Sequence, residues 1–432
     1  MTTITSTPPP LDYSLVGKES TRAIERGLAE ADWYTSPVPR EQMRELLVRR
    51  DGPAIRDTLI WFGLLLVSGG LGVALWPSAW VILPFIVYGV IYASSSDSRW
   101  HESGHGTAFK TDWMNNALYE IASFMVMRES TIWRWSHTRH HSDTIIVGRD
   151  PEIAVPRPPK PIKLITNCFN LSVIPNYFRT LLLHCTGKMT PEEKTFVPEA
   201  EYERVFFKAR IYVIIYASII GLCLVTGSLL PLMLIGLPNL YGAWMMPMWG
   251  YTQHAGLAEN VLDHRLNCRT VYMNWLNRYL YWNMNYHLEH HMFPLVPYHA
   301  LPKLHEIIKS DCPPPYNGLV EAYREIIPTV LRQRKDPAYC VKRVLPKPAA
   351  KAAVQTTKTI VSSARPIEGK WVEVCSPDVI AREESLRFDH ANKTYAIYRT
   401  ADDKFFATDG FCTHGNTHLA DGLVKGHLIE CS

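Results

Sequence analysis

The stretch RWHESGHGTAFK, residues 99–110, spells two chemistries at once. His101, Glu102 and His105 form H-E-x-x-H, the helical pattern in which two histidines hold zinc and the glutamate is the general base of peptide hydrolysis. The same residues form H-x-x-x-H, two imidazoles on one helix face. Farther along, WSHTRHH supplies His137, His140 and His141, and NYHLEHH repeats that spacing with His287, His290 and His291. His254 lies in GYTQHAG, so nine of the seventeen histidines fall in four short places. A mononuclear catalytic zinc site uses three protein ligands and an open position. Nine imidazoles are too many for one metal and suit two metals of moderate coordination number. His184, His264, His299 and His305 read as structural.

The elements that must bring these histidines together are written in the charge pattern. No charged residue occurs from Thr58 to Ser96 or from Ile211 to Ala258, and each run is interrupted, at WPSAW and at TGSLLP. Each reads as a hairpin of two membrane-crossing helices, about 58–76, 79–96, 209–227 and 230–249. Arg40, Arg44, Arg49, Arg50 and Arg56 precede the first crossing and Arg204, Lys208 and Arg210 the third, while the proposed outer turns carry no charge. The positive-inside rule then puts both termini and the segment between the hairpins in the cytoplasm. An even number of crossings separates the first two histidine clusters from the others, so all four emerge on the cytoplasmic side. Between the hairpins, IKLITNCFNLSVIPNYFRTLLLHC is apolar but broken by Asn167, Asn170, Pro175, Asn176 and Arg179, and reads as an interfacial helix.

The bulk composition agrees with a membrane protein of two parts. The chain has 432 residues, 47% of them hydrophobic, and a formal charge of +4, which gives no reason to expect nucleic acid as a partner. Nine scattered cysteines, an odd number, fit a reducing compartment better than a disulfide scaffold. Residues 1–38 lack the basic-then-apolar order of a signal peptide and read as a flexible tail. Residues 39–335 form the membrane part, and 341–367, rich in Ala, Lys, Pro, Ser and Thr, read as a linker. In 368–432, short runs of β-branched and aromatic residues alternate with Asp, Asn and Gly turn signals, the pattern of a small all-β domain. The expected fold is therefore mainly α, a four-helix membrane domain with a cytoplasmic helical cap, followed by that β domain.

The order HESGH, HTRHH, HLEHH resembles the membrane fatty acid desaturase family and its relatives that hydroxylate alkanes and other unactivated carbons. The resemblance covers about residues 40–335. It implies two irons held by the histidines on the cytoplasmic face and O2-dependent attack on an aliphatic or acyl C–H bond, by desaturation or by hydroxylation. Glu102 is then a neighbour of the metal and not a protease base. The readings in which H-E-x-x-H alone carries the function are an intramembrane zinc protease, for which neither uncharged run holds the Asp ligand it would need, and a non-catalytic zinc-binding membrane protein.

A di-iron enzyme of this kind draws electrons from outside, and the last residues offer a source. Cys412-x-His414, followed after sixteen residues by Cys431, resembles the Rieske ferredoxins that feed aromatic-ring oxygenases. A Rieske [2Fe-2S] cluster has two cysteines on one iron and two histidines on the other. The sequence stops at Ser432, before a Cys-x-x-His is complete, so the fourth ligand is expected beyond residue 432 in a longer chain. The expected setting is a bacterial inner membrane, with O2, an upstream ferredoxin reductase or other donor, and the lipid bilayer as partners.

Overall fold

A computed structural model describes residues 12–14, 20–28, 33–346, 359–361, 371–391, 393–412 and 418–430. The first uncharged run forms α1 (Asp51–Leu75). Pro77 cannot continue that helix, and the chain returns as α2 (Ala79–Gly104). The return helix widens by one π turn over Val90–Ser94, all five residues buried, and then carries the first histidine pair on its last turns. α3 (Asp112–Met125) and α4 (Ser130–Ser142) follow. The third long helix is α5 (Tyr202–Thr226). Leu66, Leu224 and Val225 on these helices are 75%, 79% and 87% exposed. Apolar faces turned outward to that extent are what a hydrocarbon solvent requires.

The expected fourth helix over 230–249 is not continuous. Among the described residues three helices, not four, are long and apolar enough to cross a membrane. The chain folds instead into Leu230–Leu234, Pro238–Tyr241 and α6 (Met245–His254). Pro231 and Pro238 each start a helix, and Gly236 between them sits at φ +106, so the backbone has to break there. Side chains meet the carbonyls this frees: the Tyr88 hydroxyl donates to Leu234 O (2.9 Å), the Tyr241 hydroxyl to Met233 O (2.7 Å) and the Ser94 hydroxyl to Gly242 O (2.6 Å). Gly89 and Gly242 let the two backbones touch, for a Cβ on Gly242 would stand 1.9 Å from the Gly89 carbonyl carbon.

The core lies where α1, α2, α6 and the third histidine cluster meet, with Trp61, Trp249, Trp282 and Met284 fully enclosed. Arg99 is buried there between Trp61 and Trp282, its guanidinium donating to Leu280 O at 2.7 Å. That pins the turn of α2 just before His101.

Parts of the N-terminal segment expected to form a flexible tail pack against the rest of the chain, with Tyr13, Ala23, Leu28 and Ser36 buried. Tyr13 N donates to Val147 O (2.9 Å) and Tyr34 N to Leu262 O (2.9 Å), and the Tyr34 hydroxyl donates to Asp311 (2.6 Å). Of the linker expected over 341–367, the described start is bonded to the rest of the chain, since Val341 N donates to Gly256 O (2.9 Å) and Arg343 to Cys268 O (2.8 Å). Aromatic and backbone partners inside the membrane part hold both segments, an outcome their polar composition hides.

In the C-terminal region β1 (Thr359–Val361) pairs in parallel with β2 (Glu384–His390), and β3 (Lys393–Arg399) and β4 (Phe405–Asp409) continue the sheet antiparallel. β5 (Leu423–Lys425) and β6 (Leu428–Glu430) form a separate hairpin. An isolated bridge joins Phe411 and His418. Gly410 is needed beside it, since a Cβ there would lie 2.5 Å from His418 Nε2.

Candidate metal centre

Two short helices complete the frame of the site: α7 (His264–Asn267) and α8 (His287–Met292). Glu129 caps α4, accepting from Thr131 N and Ile132 N at 3.1 and 2.8 Å, which aims His137, His140 and His141 inward. Glu289 ties α8 down from its far side, accepting from the Thr270 hydroxyl at 2.6 Å and pairing with His305.

All nine histidines expected at the centre converge there, in two groups. Ring nitrogens of His101, His105, His137, His141 and His290 lie within 4.8 Å of one another, and so do those of His140, His254, His287 and His291. Within the first group His101 and His290 face Nε2 to Nε2 at 2.8 Å, His105 and His137 at 3.1 Å, and His141 stands 3.2 Å from both His137 and His290. In the second, His254 and His287 face Nε2 to Nε2 at 2.9 Å. Two nitrogens bound to one ion at about 2.0–2.1 Å and at right angles lie about 3 Å apart. The observed spacings fit that arrangement.

The opposite ring nitrogens of His137, His140 and His254 are held, while Nδ1 of His141, His287 and His290 is buried without a protein partner. Glu152 meets His137 Nδ1 at 3.1 Å, Asp150 meets His140 Nδ1 at 2.9 Å, and Asn267 O meets His254 Nδ1 at 2.8 Å. A proton fixed on Nδ1 leaves the Nε2 lone pair for a metal. His291 Nε2 is buried with no protein partner. Burial first, and then the neighbouring imidazoles, keep His141, His287 and His291 well below the ordinary histidine value, hence neutral. Burial alone would raise the Glu152 carboxyl, but His137 and His140 beside it hold it at about 2.

Glu102 belongs to neither group. Its Oε1 accepts from the Thr107 hydroxyl (2.7 Å) and from Tyr298 N (2.9 Å) and braces the helix end, while Oε2 is buried without a protein partner. His184 pairs with Glu193 at 3.0 Å, and His299 and His305 also lie outside both groups. His264, read as structural, stands with Cys268 against His291 and backs the second group. Asp150 and Glu152 escaped the sequence reading; their signal is the acidic pair in GRDPEI just after the second cluster. Of the Rieske ligands, Cys412 is half-buried, while His414 and Cys431 lie outside the described residues.

A cavity of about 100 Å³ opens onto both groups, touching His101 and His137 of the first and His140, His254 and His287 of the second. Its other walls include Asp97, Trp100, Arg128, Arg157, Gln253 and Glu259.

Comparison with known proteins agrees with this geometry. The fatty acid desaturase family model matches residues 74–323, and the Rieske [2Fe-2S] domain model matches 370–432. An omega-3 chloroplastic fatty acid desaturase of Sesamum indicum is 24% identical over 60% of this chain and 61% of its own. Fatty acid desaturase 3 of Homo sapiens is 22% identical over 59% of each. The ferredoxin component of the naphthalene 1,2-dioxygenase system of Pseudomonas putida is 34% identical over 62 residues, 14% of this chain and 59% of its own. The chain thus spans about six-tenths of the length of these relatives. It belongs to the fatty acid desaturase family and carries a Rieske [2Fe-2S] domain at its C-terminus. The first implies a di-iron centre and the second a [2Fe-2S] cluster, and the two histidine groups fit a pair of irons.

Proposed function

We propose that this chain is an integral-membrane, O2-dependent oxidoreductase that oxidises an unactivated aliphatic C–H bond, with desaturation of an acyl or alkyl chain as the main reaction. The observation that carries it is the meeting of nine imidazoles from four separate places in two abutting groups beside one cavity. His101, His105, His137, His141 and His290 would hold one iron and His140, His254, His287 and His291 the other. When bound, two irons supply the redox chemistry that reduces O2. Glu152 and Asp150 fix the imidazoles of His137 and His140. In desaturation two electrons come from the substrate and two from a donor, and both oxygen atoms leave as water. In hydroxylation one oxygen atom stays on the substrate.

Residues 39–335 form the membrane part and 368–432 the donor, whose cluster takes Cys412, His414 and Cys431 as three of its ligands and is re-reduced by an upstream reductase. The interrupted segment over 230–249 serves as a fourth crossing, because its freed carbonyls are met by protein and not left to lipid. Both termini and the centre then face the cytoplasm of a bacterial inner membrane. The charged cavity walls favour a second reading, hydroxylation of a small polar molecule on the same scaffold.

The test is iron analysis followed by mass spectrometry of reconstituted membranes given reductant, O2 and a panel of acyl chains and small polar molecules. Loss of two hydrogens marks a desaturase and gain of one oxygen a hydroxylase. Zinc in place of iron, or product formed without O2, would remove the proposal.

A further inference from the structure

Trp33 lies flat against the imidazole of His264, ring centroids 4.2 Å apart and planes within 3°. His264 opens α7 and is buried, and its ring centre is 5.3 Å from that of His291, a member of the second histidine group. Trp33 itself is only half-buried, and its indole N–H donates to Ser142 O (3.1 Å) at the end of α4. One parallel pair of rings, Trp33 on His264, therefore lies between the protein surface and His291, whose ring is tilted 46° to that of His264. Neither Trp33 nor His264 lines the cavity beside the nine histidines.

A second observation concerns where the chain leaves for the C-terminal domain. The Arg343 guanidinium donates to Cys268 O (2.8 Å) and to Arg265 O (3.3 Å), and Val341 N donates to Gly256 O (2.9 Å). The tail that carries the iron–sulfur domain is thus bonded to the same turn that presents His264.

We infer that Trp33 and His264 form the path by which electrons pass from a reduced iron–sulfur donor to the metal position of the second group. The inference rests on the di-iron reading above. In each transfer one electron would leave the reduced [2Fe-2S] donor, which is oxidised, and would reduce one ferric ion held by the second group to ferrous. No bond forms or breaks, and neither ring is itself oxidised. Parallel overlap between two aromatic rings gives electronic contact that a saturated side chain at either position interrupts.

The experiment mixes the iron-loaded full chain anaerobically with a reduced, soluble Rieske ferredoxin and follows the decay of the reduced-cluster EPR signal. Iron content and reduction by methyl viologen radical, a small donor, are measured alongside. Trp33→Leu and His264→Gln should each slow the decay by about tenfold or more, with iron content and the viologen rate unchanged, while Trp33→Phe, which keeps a ring, stays close to wild type. Wild-type decay in iron-replete Trp33→Leu or His264→Gln overturns the path. So does an equal slowing with viologen, or iron loss in either variant, which would make that residue a ligand or a support. A wild-type chain that binds no iron sinks the di-iron reading itself, a separate result.

Discussion

An imidazole binds a metal through one nitrogen and is steered through the other, so the groups behind the histidines matter nearly as much as the histidines. Asp150 and Glu152 stand behind His140 and His137, one from each group, and couple both metal positions to a single loop. Asp150→Asn and Glu152→Gln should each weaken iron binding by about 10–100-fold, as read by competition with a chelator, without loss of folded protein. Removing a ligand is harsher. His137→Ala, His141→Ala, His287→Ala and His291→Ala should each abolish iron loading, measured by metal analysis, while the chain still inserts in the membrane; full loading in two of the four would dismiss the assignment. The nine converging histidines were legible in the sequence because repeated spacing is a local signal. Asp150, Glu152 and His264 were not, since an acid in a loop and a histidine four residues before a cysteine gain meaning only when the fold brings a partner to them.

The segment over 230–249 shows what an apolar run does not disclose. Length and hydropathy predicted a helix, but Pro231, Gly236 and Pro238 turn it into short pieces. The sequence contained the breakers; it did not contain the side chains that make the break tolerable, because Tyr88 and Ser94 come from α2, well over a hundred residues earlier. The close approach of Gly89 and Gly242 is equally long-range. Gly242→Val should be expelled by the Gly89 backbone, which has no flexible end to move, and cost at least about 1–3 kcal/mol, seen as lost folded protein in a detergent thermal-stability assay. Tyr88→Phe is milder, about 0.6–1.7 kcal/mol, in the same assay. Equal behaviour of Gly242→Val and wild type would show that the two backbones do not meet.

At the scale of the whole molecule, three helices are long and apolar enough to cross a bilayer among the described residues, and the proposed topology adds the broken segment as a fourth crossing so that all four histidine clusters face one side. Cysteines placed singly at Ser78 and at Ser228, in a background lacking the native cysteines, should react with an impermeant maleimide only from outside the cell, and cysteines at Thr111 and Lys335 only from inside. Labelling of Thr111 and Ser78 from the same face would refute the topology. A shift to Ala, Lys, Pro, Ser and Thr suggested a join, and the two family models match on either side of it, at 74–323 and 370–432. The attachment of the join was not legible, since Val341 and Arg343 look like linker residues until Gly256 and Cys268 are seen opposite them.

That attachment decides where the molecule can be cut and respliced. A donor of another kind grafted after Gln333, the end of the last helix, would lose the anchor at Val341 and Arg343 and hang from a freer leash, at lower effective concentration near the second histidine group. Grafted after Leu345, it inherits the anchor. The boundary useful for exchanging electron donors therefore lies about a dozen residues beyond the one that helix ends suggest.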